Sequence, residues 1–193
     1  LSYDFENKAN YDGLTQLPRA DLIRNEVKVS LKKKDPDPFS IICINLDNFT
    51  EINRLYGNKN GDQVLVKTSK QIEKAIRKND IITRGFGDEF YVILKNIEDK
   101  SIAETVCWKI MRSIIAPIKV EENIEVSIQA SIGYSHYPED GVSTEDLFDN
   151  AITAVQVVKA SGKNDVLGYT ESMKTSLVIE SQSRKDILEN LRS

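Results

Sequence analysis

The chain has 193 residues, of which 40% are hydrophobic and 29% charged, with a formal net charge of −4. That balance fits one globular domain with an appendage and excludes a nucleic-acid clamp, because the charges are mixed along the chain and its one basic run, Lys32–Lys34, reads as a solvated helix end. A lone histidine, His136, and two separated cysteines exclude a His/Cys zinc centre, and no apolar run approaches the ~20 residues of a membrane-spanning helix.

In chain order, a helix is predicted from about Arg19 to Lys33, ending before the DPDP segment. Phe39–Asp47, FSIICINLD, is a compact β-branched run and reads as a strand. A short helix, NFTEINRLYG, follows, and Val64, Leu65, Thr68, Ile72, Ala75 and Ile76 then share one face of a longer one. IITR and EFYVIL flank the turn GFGD and predict a hairpin. Ile102, Val106, Ile110 and Ile114 mark the next helix. The segment IKVEENIEVSIQASIGYSHYP predicts a second pair of strands turning near Glu122–Asn123. Leu147, Phe148, Ala151, Val155 and Val158 mark a further helix, and DVLGY (Asp165–Tyr169) a closing edge strand. Cys43 and Cys107 lie in apolar runs and are expected to be buried thiols. Two tight hairpins among alternating helices imply an α/β (α+β) fold with a largely antiparallel sheet.

Asn45 and Asp47 alternate onto one face at the end of the first strand, and the hairpin sets Asp88 and Glu89 at the start of another. Oxygen ligands on neighbouring strand ends suit magnesium, which takes few protein carboxylates and completes its shell with phosphate oxygens. An equally open reading has Asp47 capping the following helix and Asp88–Glu89 solvating a hairpin.

These segments resemble the GGDEF family, whose domains join two GTP molecules into cyclic di-GMP. DGLTQLP (Asp12–Pro18) is similar to the family's opening DxLTGLPNR, INLDNFTEIN (Ile44–Asn53) to DxDxFKxxN, and YGNKNGDQVL to YGHxxGDxvL. GFGDEF stands at the signature, and SIGYSHYPEDG (Ser131–Gly141) and VKASGKNDV (Val158–Val166) resemble two later motifs. The resemblance implies a palm-like sheet with helices packed on it, as in class III nucleotide cyclases. It also implies a domain over 12–169, preceded by a linker or signalling helix over 1–11.

The resemblance further implies that Asn53 and Asp62, with Phe49 beside them, hold the guanine, and that Lys159 and Lys163 contact the triphosphate. Asp62 also has a plainer reading as an N-cap, and the lysines as helix C-terminal cations. Asp88 and Glu89 match the metal-binding and catalytic carboxylates. Mg2+ (or Mn2+) is expected at Asp88, Asp47, the Leu46 backbone and the weakened position Asn45. Arg77 and Asp80, in RKND, match the family's product-inhibition site, where an Arg fork meets guanine acceptors.

Several positions depart from the pattern. Asn45 replaces the first metal-binding aspartate and removes a negative charge. Thr50 replaces a phosphate-binding lysine. Phe86 replaces the first signature glycine, where a positive φ is expected to cost about 1–2 kcal/mol and the ring to crowd the nucleotide. A rival reading has the turn slid by one residue, with Gly85 in the usual aromatic slot. Ile152 and Gln156 break the pattern of the family's last helix.

Two functions follow from the resemblance. One is a weak or inactive GGDEF module that senses GTP or cyclic di-GMP and regulates an attached EAL phosphodiesterase domain. The other is an active diguanylate cyclase working as a Mg2+-dependent homodimer. A third reading is a structural or dimerising domain that binds no nucleotide. Residues 170–193, with Met173, Arg184, Leu188, Leu191 and the run LENLR, resemble the connector into an EAL domain. No export signal is visible and the first residue is Leu, so the chain is expected to be a cytoplasmic piece of a longer protein, itself without membrane contacts, with any membrane anchor of the full protein lying outside it.

Overall fold

A computed structural model describes residues 10–179. The predicted linker before residue 10 and the connector residues Arg184, Ile187, Leu188 and Leu191 lie outside the described residues.

Strand β1 (Phe39–Asp47) is buried along its whole length, as its largely apolar run suits a central strand. It pairs antiparallel with β3 (Glu89–Lys95) on one side and with β6 (Gln129–Tyr137) on the other. The hairpin partner β2 (Ile81–Arg84) and a parallel strand β7 (Val166–Gly168) close the edges, giving the order β2-β3-β1-β6-β7. The sheet is therefore mostly antiparallel, as the hairpin signals imply.

Alternation along the strands sends side chains to two helical layers. On one face Ile42, Ile44, Leu46, Phe90, Val92 and Leu94 meet α3 (Asn58–Ala75) and α4 (Lys100–Ile114). On the other, Ile41, Cys43, Tyr91 and Ile93 meet α1 (Ala20–Ser30) and α5 (Thr144–Ala160). Asp99 caps α4 by accepting from Ser101 N–H, and Ser143 caps α5 by accepting from Asp146 N–H. Ile152 and Gln156 leave α5 unbroken: Ile152 packs against the second core and Gln156 is exposed.

The second predicted hairpin needs correction. Its turn does lie at Glu122–Asn123, but β4 (Ile118–Glu121) and β5 (Ile124–Val126) form a separate two-stranded ribbon. The chain leaves the ribbon at Ser127–Ile128 and enters the main sheet as β6. Both cysteines are free and buried; burial, with the Glu89 carboxylate nearby, pushes the Cys43 thiol up to about 12. Among the described residues no helix is long and apolar enough to cross a membrane.

Candidate nucleotide-binding site

The end of β1 runs into α2 (Phe49–Tyr56) through Asn48, whose φ is 56°. At Gly57 (φ 81°) the chain reverses directly into α3. A cleft of about 380 Å³ opens here, lined by Asn45, Leu46, Asp47, Phe49, Thr50 and Asp88 together with Asn48, Glu51, Lys159 and Lys163. The structure thus brings residues from β1, the β2–β3 turn and the C-terminal end of α5 to one place, as the resemblance to the GGDEF family implies.

Asn45 pairs directly with Glu89 across β1 and β3, so the two side chains share a face. The Asn45 amide nitrogen donates to Asp88 Oδ1 at 3.5 Å, and its Oδ1 is buried with no partner. The Leu46 N–H donates to the Asp88 carbonyl, which pins the signature turn to the end of β1. Glu89 lies beside this cluster, where its carboxylate accepts from Tyr91 OH at 3.4 Å.

Asp47 behaves differently. Only 4% exposed, it accepts from Ser131 Oγ at 2.7 Å and from the Asn164 N–H at 3.0 Å. It caps no helix: the N-cap of α2 is Asn48, whose Oδ1 accepts from Lys163 Nζ at 2.6 Å.

The expected guanine ligands meet at the α2–α3 junction. The Asn53 amide lies against the backbone of Gly61, with the Phe49 ring beside it, so a methyl group at position 61 would collide with Asn53. Asp62 follows Gly61 and is exposed. It is not an N-cap, because Gly57 takes that position and its carbonyl accepts the N–H groups of Asn60 and Gly61.

The signature turn corrects two expectations. Glu89 N–H donates to the Phe86 carbonyl, and within that turn only Gly87 has positive φ, at 59°. Glycine tolerates this without cost, so Phe86 carries no left-handed strain. Its ring is 92% exposed and borders a different cleft, with Asp12, Arg19 and Asp21, rather than the one lined by Asn45 and Asp88. Gly85 is tightly packed: a methyl group there would lie 2.8 Å from the Tyr91 ring.

Arg84 escaped the sequence reading. It is buried, its Nη1 donates to the Glu89 carbonyl at 3.1 Å, and its guanidinium stacks 4.7 Å over Phe90. Burial pulls it below its ordinary value, opposed by the carboxylates of Asp12, Asp88, Glu89 and Asp62. Burial acts to raise Asp12, but hydrogen bonds from Thr15 and the charge of Arg84 leave it below its ordinary value. The signal available in the sequence was one basic residue closing the apolar strand IITR.

At the second predicted site, Arg77 is exposed. The Asp80 carboxylate accepts from the N–H groups of Arg77, at 2.8 Å, and Lys95, at 3.2 Å, and so shapes the turn itself.

The family described as "Diguanylate cyclase, GGDEF domain" matches residues 9–165. The chain belongs to the GGDEF family. The GGDEF chain is 31% identical over 186 residues to the bifunctional diguanylate cyclase/cyclic di-GMP phosphodiesterase MucR of Pseudomonas aeruginosa, a match covering 95% of this chain and 26% of that protein. It is also 31% identical over 190 residues to the cyclic di-GMP phosphodiesterase NbdA of the same organism, covering 95% and 24%. Among solved structures, the GGDEF domain of TpbB (YfiN) from P. aeruginosa superposes with a TM-score of 0.83 at 27% identity, covering 86% of this chain and 98% of that one. The fold is thus the nucleotide-cyclase-like α+β fold expected. The chain spans about a quarter of the length of the first curated relatives it matches.

A divalent cation is implied by the family, and the donors here suit one hard ion. Asp88 supplies a carboxylate, Asn45 an oxygen with no other partner, and Leu46 lines the same cleft. Among the described residues no group of three or more His, Cys, Asp or Glu side chains converges to hold a metal.

Proposed function

We propose that this GGDEF domain is a nucleotide-sensing module in cyclic di-GMP signalling, catalytically weak or inactive. It binds GTP or cyclic di-GMP and regulates an attached EAL-type phosphodiesterase domain. The boundaries proposed are 12–169 for the domain and 170–193 for the connector, in a cytoplasmic protein.

The observation that carries this reading is Asn45. An uncharged amide with an unbonded oxygen stands beside Asp88, where a site for two dications needs a second anion. Mg2+ or Mn2+ bound by Asp88, Asn45 Oδ1 and Leu46 would offset phosphate charge. Lys159 and Lys163, which line the same cleft, would meet the phosphates, while Phe49, Asn53 and Asp62 would hold the base. Thr50, exposed at the rim, contributes no cation.

The name of MucR, which pairs a cyclase with a phosphodiesterase, supports the attached-domain part of the reading. Calorimetry with Mg2+–GTP beside an assay for cyclic di-GMP tests it: binding with negligible product is expected. Robust conversion of GTP by the domain overturns it, and absence of heat with either nucleotide leaves the purely structural reading.

One observation favours the alternative of an active homodimeric cyclase. The Phe86 ring leaves the cleft open, so the signature's departure is no steric block. At Arg77 the exposed guanidinium, on a turn held by Asp80, supports cyclic di-GMP binding. Loss of cyclic di-GMP heat in Arg77→Ala checks this.

A further inference from the structure

We propose that Asp47 is a positioning residue: its buried carboxylate latches the loop after α5 to the end of β1, and thereby sets where Lys159 and Lys163 meet phosphate. The proposal rests on the nucleotide-binding reading above.

The loop has a backbone that its sequence alone would not hold. Gly162, Lys163 and Asn164 have φ of 122°, 67° and 51°, so three successive residues are left-handed, two of them not glycine. Such residues persist only when their surroundings over-determine them. Two ties do so here. Asn164 N–H donates to Asp47 Oδ2 at 3.0 Å, and Lys163 Nζ donates to Asn48 Oδ1 at 2.6 Å. Consecutive residues at the β1 end thus grip consecutive residues of the loop, across a sequence separation of 117 for the first tie and 115 for the second.

The carboxylate is itself fixed by Ser131 Oγ on β6, the strand paired with β1. A buried anion accepting a hydroxyl and a backbone N–H makes charge-assisted bonds, which are shorter and stronger than neutral ones. Each of its oxygens thereby has a protein donor, whereas Asp88 bonds Asn45. Lys163 leaves the latch at the cleft rim, and Lys159 sits in the last turn of α5 immediately before it. Asp47 therefore acts through the loop, whereas Asp88 faces the ligand directly.

The test compares wild type with Asp47→Asn, Ser131→Ala and Asn164→Gly. Exchange of the Asn164 amide is followed by NMR, and GTP binding is measured once with Mg2+ and once in EDTA. Asp47→Asn is expected to speed Asn164 exchange at least about tenfold and to weaken GTP about tenfold, by the same factor with metal and without it. Ser131→Ala, which removes only the anchor of the carboxylate, is expected to give about two- to threefold changes in the same direction and serves if Asp47→Asn does not fold. Asn164→Gly keeps both the N–H and the left-handed backbone and should match wild type.

Unchanged Asn164 exchange overturns the latch. So does a loss of GTP affinity confined to the Mg2+ condition, which would make Asp47 a metal ligand. If wild-type protein binds no GTP in either condition, the nucleotide reading and the lysine-setting role fail together, and the exchange measurement alone decides the latch.

Discussion

The Asn45 amide nitrogen stands 3.5 Å from Asp88 Oδ1, with Asn45 Oδ1 buried and unbonded behind it. Without metal, this neutral group lets Asp88 and Glu89 coexist at the end of β1. Asn45→Asp would set a further carboxylate against Asp88 and directly across from Glu89. Like charges at this distance should cost about 1–3 kcal/mol in metal-free protein, seen as a lower urea midpoint. With Mg2+ the sign reverses: the same variant should bind Mg2+–GTP at least about tenfold more tightly, or roughly 1.4 kcal/mol. Equal affinity for both proteins would show that position 45 does not face the ion.

Arg84 joins the opening motif to the signature. Its backbone N–H donates to the Pro18 carbonyl, and its guanidinium feels the charges of Asp12, Asp88 and Glu89. Removing the buried guanidinium takes its charge away from these half-buried carboxylates and its Nη1 donor away from the Glu89 carbonyl. Arg84→Ala should therefore destabilise the domain by about 1–3 kcal/mol in urea denaturation. Arg84→Lys keeps the charge but not the stacking fork over Phe90, and should recover only part of the loss.

Phe86 makes the opposite case. At 92% exposure it contributes little burial, so Phe86→Ala should change stability by no more than about 0.5 kcal/mol. Because the ring borders the Asp12–Arg19 side of the turn, GTP affinity should stay within about twofold of wild type. An affinity gain of about tenfold or more would mean that the ring closes over the cleft after all.

What the sequence disclosed follows from how local each signal is. β1 was legible to the residue because a nine-residue β-branched run, set off by the DPDP segment before it, favours a buried strand over a helix. The hairpin was legible from its glycine turn, but GFG does not say which residue takes positive φ; the pairing of Arg84 with Phe90 decides for Gly87. β6 was merged with the ribbon because Ile124–Tyr137 alternates almost without a break, and a change of sheet at Ser127–Ile128 carries no composition signal. The face shared by Asn45 and Asp47 was foreseen, but not their division of labour. Asp47 is claimed by Ser131 and Asn164, distant in sequence, and no periodicity reports such a contact.

His136 sets a pH dependence separate from the site. It is buried, its Nδ1 lies 2.9 Å from Ser40 Oγ, and its backbone N–H donates to Asp140 Oδ2. Burial lowers its pKa, and the neighbouring charges only partly balance this: Asp140, Glu139 and Asp99 act upward, while Lys100 acts downward. A histidine held below its unfolded value of about 6.5 binds its proton later in the folded chain than in the unfolded one. The unfolded state therefore gains protons first as pH falls, and stability drops from about pH 6.5 downward until the folded imidazole also titrates. Asp12 and Asp99, both held below ordinary carboxylate values, contribute stability that is lost only at lower pH, as their folded forms protonate. Urea midpoints should accordingly fall between pH 7 and pH 5 in wild type. In His136→Asn, which cannot titrate there, they should be nearly level; an unchanged slope would assign the dependence to other groups.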